Sequence, residues 1–366
     1  MIQTRVPPAS GFSLIELLVV VAILSAVSLL AFGSFTEDRT QIRYEDTRQR
    51  LQTLYRAILG RHGPSTGEMA AGFVADNGDL PSDLATLLQI GTLDARVVRS
   101  PIFDPRPNDT TCENDGSTDE IALVASTPVS APNVHAPAAQ LVKGHVGDYL
   151  GGMAVNGRFR DGWGNVSSTD DALNFGWKVI SDGVNKTLAI TSLGLDNAES
   201  GLEFAADFGA SIAANDWLVP ISGWTVQVRN LTASDINASV GSLSVSLLVY
   251  VNRPGGGKWQ RYATASLSCL DAYGAAGDGQ CDGAPASSTA TATFHDGCKP
   301  GSIVTGLGRI PQGRHLLVIS HNGGDNTPWT TDDKVTWGSS PLMGPYLAQV
   351  DVVAGRSLPF VTLEIR

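Results

Sequence analysis

Residues 12–35, FSLIELLVVVAILSAVSLLAFGSF, form an apolar run with one charge in it, Glu16. A bilayer core of ~30 Å needs ~20 apolar helical residues, so this stretch is long enough to span one. The apolar region of an ordinary secretory signal covers only ~7–15 residues. No A-x-A-like cleavage site follows the run, so the segment is expected to stay in the mature protein. A carboxylate inside a membrane helix costs ~2.5–3.5 kcal/mol on insertion scales. Glu16 therefore either snorkels to the membrane surface or meets a positive group. The amine of a neighbouring subunit would serve if the chain were cut just before Phe12.

The hexapeptide Gly11-Phe12-Ser13-Leu14-Ile15-Glu16, followed by an apolar helix, resembles the class III signal of type IV pilins and type II secretion pseudopilins. The resemblance implies that a prepilin peptidase cuts after Gly11 and methylates the new N-terminus on Phe12. It also implies that Glu16, the fifth mature residue, helps recruit each subunit to the next. The partners it implies are other pilin or pseudopilin subunits, the prepilin peptidase, an inner-membrane assembly platform and membrane lipid. The implied location is the inner membrane, single-pass, with the N-terminus cytoplasmic and the head periplasmic, and then a pilus or pseudopilus. The leader, residues 1–11 (MIQTRVPPASG), is short and polar, and Arg5 is its only basic residue, a modest positive-inside signal.

The helix should continue beyond the membrane. No proline interrupts Thr36 to Arg56. Leu51, Leu54, Tyr55, Ile58 and Leu59 follow i, i+3, i+4, i+7, i+8, one apolar stripe. Glu45, Asp46, Arg48, Arg50 and Arg56 fill the other face, and Gly60 with Gly63-Pro64 supplies a stop. A helix from Phe12 to Leu59 is roughly 70 Å long at 1.5 Å per residue. Its first half belongs in lipid or a filament core and its second half on a globular head, with Gly33 as the place for a bend.

Residues 60–216 read as an α+β head rich in turns and short strand-like runs. Phe73 to Pro81 leads into Asp83–Leu88, a short helix with Leu84, Leu87 and Leu88 on one face. This GFVADNGDLPSDLATLL pattern resembles segments that follow the long helix in pilin-like proteins. Residues 101–140 are rich in Pro, Asn, Asp and Thr and read as a long surface excursion. Phe175–Ser181 and Leu188–Ser192 read as two strands, turned by Asp182-Gly183 and Asn185. Asp161-Gly162-Trp163-Gly164-Asn165 is similar to the Asp-Pro-Trp-Gly-Asn turn of major pseudopilins, with Gly162 in place of proline. Ser192-Leu193-Gly194-Leu195-Asp196-Asn197 is similar to their Ser-Leu-Gly-x-Asp loop, which binds calcium. That resemblance implies calcium ligands from the Leu193 carbonyl, Asp196, Asn197 and Asp207. The glycine-rich middle of the family loop is replaced by Ala198–Glu203. No other cofactor is expected.

From Trp217 the signal is β. Trp224–Val228 and Leu243–Val251 alternate, and Trp259–Leu267, Thr289–Phe294, Leu316–Ser320, Leu347–Val353 and Phe360–Ile365 are further candidate strands. Abundant glycine, 40 residues, suits this turn-rich reading. The expected architecture is α+β: a type IV pilin-like long N-terminal helix packed on an antiparallel sheet, with an additional C-terminal β-rich, sandwich-like domain. Its divisions are 1–11 leader, 12–59 transmembrane and assembly helix, 60–216 head and 217–366 β-rich domain.

The chain holds no G-x-S-x-G, H-E-x-x-H or P-loop, so no enzyme is expected. His295 near Cys298, and His315 with His321, read as surface or core residues rather than ligands, and Asp278, Asp282, Asp325, Asp332 and Asp333 as solvated turns. Net charge of −11 lacks the basic footprint of a nucleic-acid binder. No cysteine pair has C-x-x-C spacing. In an exported head a disulfide among Cys269, Cys281 and Cys298 becomes plausible, and with Cys112 three connectivities are open. The function expected is a structural subunit of a type IV pilus or type II secretion pseudopilus. The alternative is a low-abundance tip subunit or adhesin whose C-terminal β domain binds a surface or partner.

Overall fold

The computed structural model describes residues 13–60, 71–88, 97–98, 141–142, 147–231, 243–253, 256–266, 270–271, 273, 288–294, 309–321, 336–337, 340–341 and 346–365; at 29–37 and within several strands it describes the backbone path alone. The four cysteines, His295, the five acidic residues from Asp278 to Asp333 named above, and the 101–140 excursion all lie outside the described residues.

Helix α1 (Leu14–Leu59) is unbroken over 46 residues and passes through Gly33 without interruption. Ser13, in extended conformation, is its N-cap, so the helix starts two residues later than Phe12. The stripe read from sequence is its packed side: Leu51, Leu54, Ile58 and Leu59 are buried and Tyr55 packs against the same core. Two short helices follow, α2 (Phe73–Asn77) and α3 (Asp171–Asn174). Asp83–Leu88 yields only a 3-10 turn, Ala85–Leu88, with Leu84 and Leu87 buried. The Leu87 amide bonds the Leu84 carbonyl at 3.1 Å, the i to i+3 closure of a 3-10 turn.

Strands β1 (Val97–Val98) and β2 (Leu141–Val142) pair antiparallel. β3 (Lys178–Asp182), β4 (Thr187–Ser192) and β5 (Phe208–Ile212) form an antiparallel sheet in that order. Its inner residues Leu188, Ile190 and Ile212 meet the α1 stripe, Phe159, Trp177 and Trp217 in one core. Trp177 donates its indole N–H to the Phe159 carbonyl at 2.9 Å, so the ring is buried with its polar group satisfied.

The remaining chain builds a second core between two sheets. β7 (Thr225–Asn230) is central in one, antiparallel to β10 (Thr289–Thr293) and parallel to β16 (Val361–Ile365). The other has the order β15 (Tyr346–Val352), β12 (Gly313–His321), β8 (Leu243–Arg253), β9 (Gly256–Ser266), antiparallel throughout. Val226, Val228, Ala290, Ala292, Leu363 and Ile365 face Val245, Leu247, Leu317, Ile319 and Val350. Residues of period two on both sheets thus interdigitate. The parallel pairing of β16 departs from the antiparallel expectation. The last strand returns to β7 after a long excursion through the other sheet, and a crossover of that length permits either direction. A further pair, β13 (Thr336–Trp337) with β14 (Ser340–Pro341), is antiparallel.

The two cores touch through a short bridge. β6 (Leu218–Pro220) pairs antiparallel with β11 (Arg309–Pro311). Just beyond β11, Gln312 is fully buried. Its backbone N–H donates to the Trp217 carbonyl at 2.8 Å, its Nε2 to the Leu59 carbonyl at 2.8 Å, and its Oε1 accepts from Ala354 at 3.4 Å. The last carbonyls of a helix lack intrahelical donors, and Gln312 supplies one of them. His315, also buried, lies with Nε2 2.7 Å from the Pro311 carbonyl, a core residue.

Candidate functional site

The start of α1 is organised by its own sequence. Ser13 Oγ accepts from the Glu16 amide at 3.3 Å, and Glu16 Oε2 accepts from the Ser13 amide at 2.9 Å and the Ser13 hydroxyl at 3.1 Å. This is a capping box, which satisfies helix donors reciprocally. Glu16 also places negative charge at the positive end of the helix dipole. Within one chain the carboxylate is therefore hydrogen-bonded before any neighbour approaches, a role the sequence reading did not give it. Gly11 and Phe12 lie outside the described residues.

Described residues 13–28 are exposed on every side of α1, with Leu14 at 84% and Ile15 at 70%. Nothing among the described residues covers them. Among the described residues no helix is long and apolar enough to cross a membrane. In sequence the apolar run continues to Phe35.

The second half of α1 is locked to the head by the 161–165 turn. Thr47, fully buried, donates its hydroxyl to the Arg43 carbonyl at 2.8 Å and accepts from the Gly162 amide at 2.9 Å. A Cβ at Gly162 would lie 2.4 Å from the Arg43 carbonyl oxygen and 2.8 Å from Thr47 Oγ1. Proline, the resembled family's residue here, would lack the donor and carry the clashing carbon. Gly162 is thus the residue this helix contact requires. Asp161, 3% exposed, holds the turn: its Oδ1 accepts from Gly164 and Asn165 amides, its Oδ2 from the Asn165 side chain at 2.9 Å and from Ser192 Oγ at 2.7 Å. Asn165 in turn donates to the Gly194 carbonyl at 2.9 Å. The turn and the loop after β4 are therefore one hydrogen-bonded unit seated on α1.

A charged layer surrounds it. Arg160 makes a bidentate pair with Asp171 at 2.7 Å for both bonds, and Arg158 pairs with the same carboxylate. The Arg160 hydrogen bonds hold the Asp171 carboxyl below the usual aspartate range, aided by the Ser167 amide and the two guanidinium charges against its partial burial. Arg50 of α1 donates to the Arg160 carbonyl at 3.1 Å. On the other flank Tyr44 of α1 meets Phe204 and Phe208, and Trp163 meets Phe204. Thr47 had a readable signal: it continues the stripe one step before Leu51 (i−4). Gln312 had none, because its partner Leu59 is distant in sequence, and Asp171 meets Arg158 and Arg160 at separations that follow no helix or strand period.

The residues expected to hold calcium sit in the loop between β4 and β5. The loop is closed by the Leu195 amide on the Phe204 carbonyl at 2.9 Å and by the Ser200 amide on Asp207 Oδ2 at 3.0 Å. Asp196 and Asn197 are exposed and Leu193 is half-buried. Asp196 Oδ1 accepts from Ala198, and Asn197 Nδ2 donates to the Val166 carbonyl. Asp207 Oδ1 is buried and has no hydrogen-bond partner. Among the described residues no three His, Cys, Asp or Glu side chains cluster as a metal site would. The loop offers one buried, unsatisfied carboxylate oxygen, and a calcium ion there would need its further ligands from carbonyl and amide oxygens.

In comparisons with known proteins, residues 8–32 match the prokaryotic N-terminal methylation motif. No curated protein and no solved structure matches the chain. The match covers the residues around Gly11, Phe12 and Glu16 and the first turns of α1, and leaves the head outside it. The chain carries a prepilin signal of the type IV pilin and pseudopilin kind at its N-terminus.

Proposed function

We propose that the chain is a subunit of a type IV pilus or type II secretion pseudopilus, with a pilin-like α+β head and an additional C-terminal β-rich domain. The observation that carries this reading is the methylation motif at the head of a 46-residue helix whose first half is apolar in sequence, exposed from Leu14 to Ser28, and whose second half is packed. Prepilin peptidase cuts between Gly11 and Phe12 and methylates the Phe12 amine. Before assembly residues 12–35 anchor the subunit in the inner membrane with the head periplasmic. In the filament the apolar halves of α1 from neighbouring subunits replace lipid.

Glu16 is central to that exchange. An unpaired carboxylate in an apolar bundle is strongly unfavourable. The Phe12 amine of an adjacent subunit pairs with it, and that amine exists only after cleavage, which couples processing to assembly. The Ser13 hydrogen bonds hold the carboxylate satisfied until then. The protein acts structurally, with no catalysis of its own.

Two measurements test this. Intact-mass analysis of the purified chain from a peptidase-positive host should find a methylated Phe12 at the N-terminus, and an N-terminus at Met1 would refute the processing. Glu16→Leu should leave membrane insertion intact and lower the ratio of sheared-filament to membrane-pool protein. Equal ratios for mutant and wild type would leave Glu16 a passive interfacial residue.

One feature favours a tip position as a second reading. The β-rich part is fastened by Gln312 to the carbonyl of Leu59, the end of α1 opposite the signal. A domain standing there projects away from the membrane, where it would hinder a further subunit from stacking above. Counting this chain against the other pilins of the same sheared filaments separates shaft from tip: tip subunits are scarce.

A further inference from the structure

The outer face of the β10–β7–β16 sheet plays no part in the features above. Along β7, Val226 and Val228 are buried, which turns Gln227 and Arg229 to the other side. Along β10, Ala290 and Ala292 are buried and Thr291 is exposed; along β16, Leu363 and Ile365 are buried and Thr362 is exposed. The register sets these outward residues in rows. Thr291, Gln227 and Thr362 stand side by side across the middle, and Arg229 stands beside Glu364 in the next row. Thr362 Oγ1 lies 3.3 Å from Gln227 Oε1 and donates to it, which fixes the amide and leaves its Nε2 as a donor.

An aromatic ring stands at each end of this polar strip. Phe360, 75% exposed, continues the outward alternation of β16 and is level with Thr225 at the start of β7. At the other end the Tyr273 ring, 57% exposed, lies 5.5 Å from the Arg229 guanidinium carbon. Four residues of strand separate Phe360 from the Arg229 row that Tyr273 adjoins, roughly 13 Å.

The partner must offer apolar faces to two separated rings and hydroxyl or carbonyl groups to the strip between them. A lipid surface needs contiguous apolar area, which the threonines and Gln227 interrupt. A peptide strand joins a sheet at its edge rather than its face. Charge decides against a polyanion or polycation: Arg229 is offset by Glu364 in the same row, so the face is neutral within a chain of net charge −11. An uncharged sugar polymer has the complementary chemistry, with the C–H faces of its rings for stacking and its hydroxyls for hydrogen bonds.

We infer that this face binds a neutral polysaccharide, with Phe360 and Tyr273 each stacking on a sugar ring and Gln227, Thr291 and Thr362 hydrogen-bonding the hydroxyls between. The inference rests on the filament reading only in that the head must stand outside the membrane, and it holds for shaft and tip positions alike.

The test uses the full chain in a zwitterionic detergent that carries no sugar headgroup. Retention is measured on cellulose, chitin and a panel of immobilised neutral glycans, with heparin as the polyanion arm and anionic lipid vesicles as the membrane arm. At least one neutral glycan should retain the chain and be competed by its soluble oligosaccharide. Phe360→Ala and Tyr273→Ala should each weaken retention about tenfold, with melting temperature and incorporation into sheared filaments unchanged. Thr362→Ala, which removes no ring, should weaken it less. Retention by heparin or vesicles alone, retention by no neutral glycan, or retention insensitive to both ring substitutions overturns the inference. Failure of incorporation in the wild-type chain would instead strike the filament reading.

Discussion

Gly162→Ala perturbs the contact between α1 and the head at one atom. The added Cβ would stand 2.4 Å from the Arg43 carbonyl oxygen, 2.8 Å from Thr47 Oγ1 and 2.9 Å from the Thr47 amide nitrogen. Two of these are helix backbone and cannot yield, so the turn must lift from α1. Lifting breaks the 2.9 Å bond from Gly162 to Thr47 and strains the Asp161 network behind it. Overpacking of a tight site costs ~1–3 kcal/mol. A buried amide left without its acceptor costs a further ~1–3 kcal/mol. The expected destabilisation is about 2–6 kcal/mol, several degrees of melting temperature for a chain of this size. The assay is thermal unfolding of the full chain in detergent, with amide exchange followed in 158–166 and in β7. Exchange should accelerate in the turn and stay unchanged in β7. Thr47→Ala should be non-additive with Gly162→Ala, because both act on one bond. An unchanged melting temperature, or strict additivity of the two substitutions, would refute the reasoning.

Asp171 gives a pH dependence. Its folded-state pKa is depressed by the Arg160 hydrogen bonds, so its contribution is present above the unfolded aspartate pKa of ~3.9 and is lost as pH falls through the lower folded value. Acid titration of stability should therefore show a falling limb below about pH 4 that Asp171→Asn flattens. Calcium, if held by the loop between β4 and β5, should raise the melting temperature as RT ln(1 + [L]/Kd), and Asp207→Ala should abolish that rise; an apo chain that calcium does not stabilise removes the proposal. Gln312→Leu leaves the Leu59 carbonyl and the Ala354 amide without their partner. It should cost about 2–4 kcal/mol and accelerate exchange at β6 and the end of α1 together, whereas a change confined to one of the two would argue against a shared fastening.

The sequence revealed most where one face of an element is buried and the other is wet. The α1 stripe and strands such as β7, β8 and β16 follow from that alternation, since a one-residue slip would invert every side chain. It revealed little where the partner is distant. β5, Phe208–Ile212, carries Gly209, Ala210 and Ser211 at its centre and lacks a strand signature. It pairs because a glycine fits there: a Cβ at Gly209 would lie 2.5 Å from the Ile190 carbonyl oxygen. α2 is built from FVADN, to which the sequence reading assigns no element, and its aromatic and β-branched start favours a helix weakly. Burial of Phe73, Val74 and Ala75 makes up for that weak preference. The 161–165 turn was visible as a motif with one departure, and the reason for the departure is an atom of Arg43 far along the chain. The β6–β11 bridge is three residues on each side, below the length at which periodicity can be read.

The two halves of α1 make opposite demands, and the head couples them. Leu14 through Val27 expose apolar surface that costs roughly 25 cal/mol per Å² in water, so this half needs lipid or neighbouring helices. The other half is fixed at three levels: Thr47 to Gly162, Arg50 to Arg160, and Leu59 to Gln312. A rotation of the anchored half about its axis must carry the head with it unless one of these fails. The polar face of the β10–β7–β16 sheet belongs to the part held by Gln312, so its direction is set by how α1 packs at the far end. Loosening the Gln312 fastening should therefore disturb presentation of that face without altering the signal at Gly11 and Phe12. That separates a display defect from a processing defect.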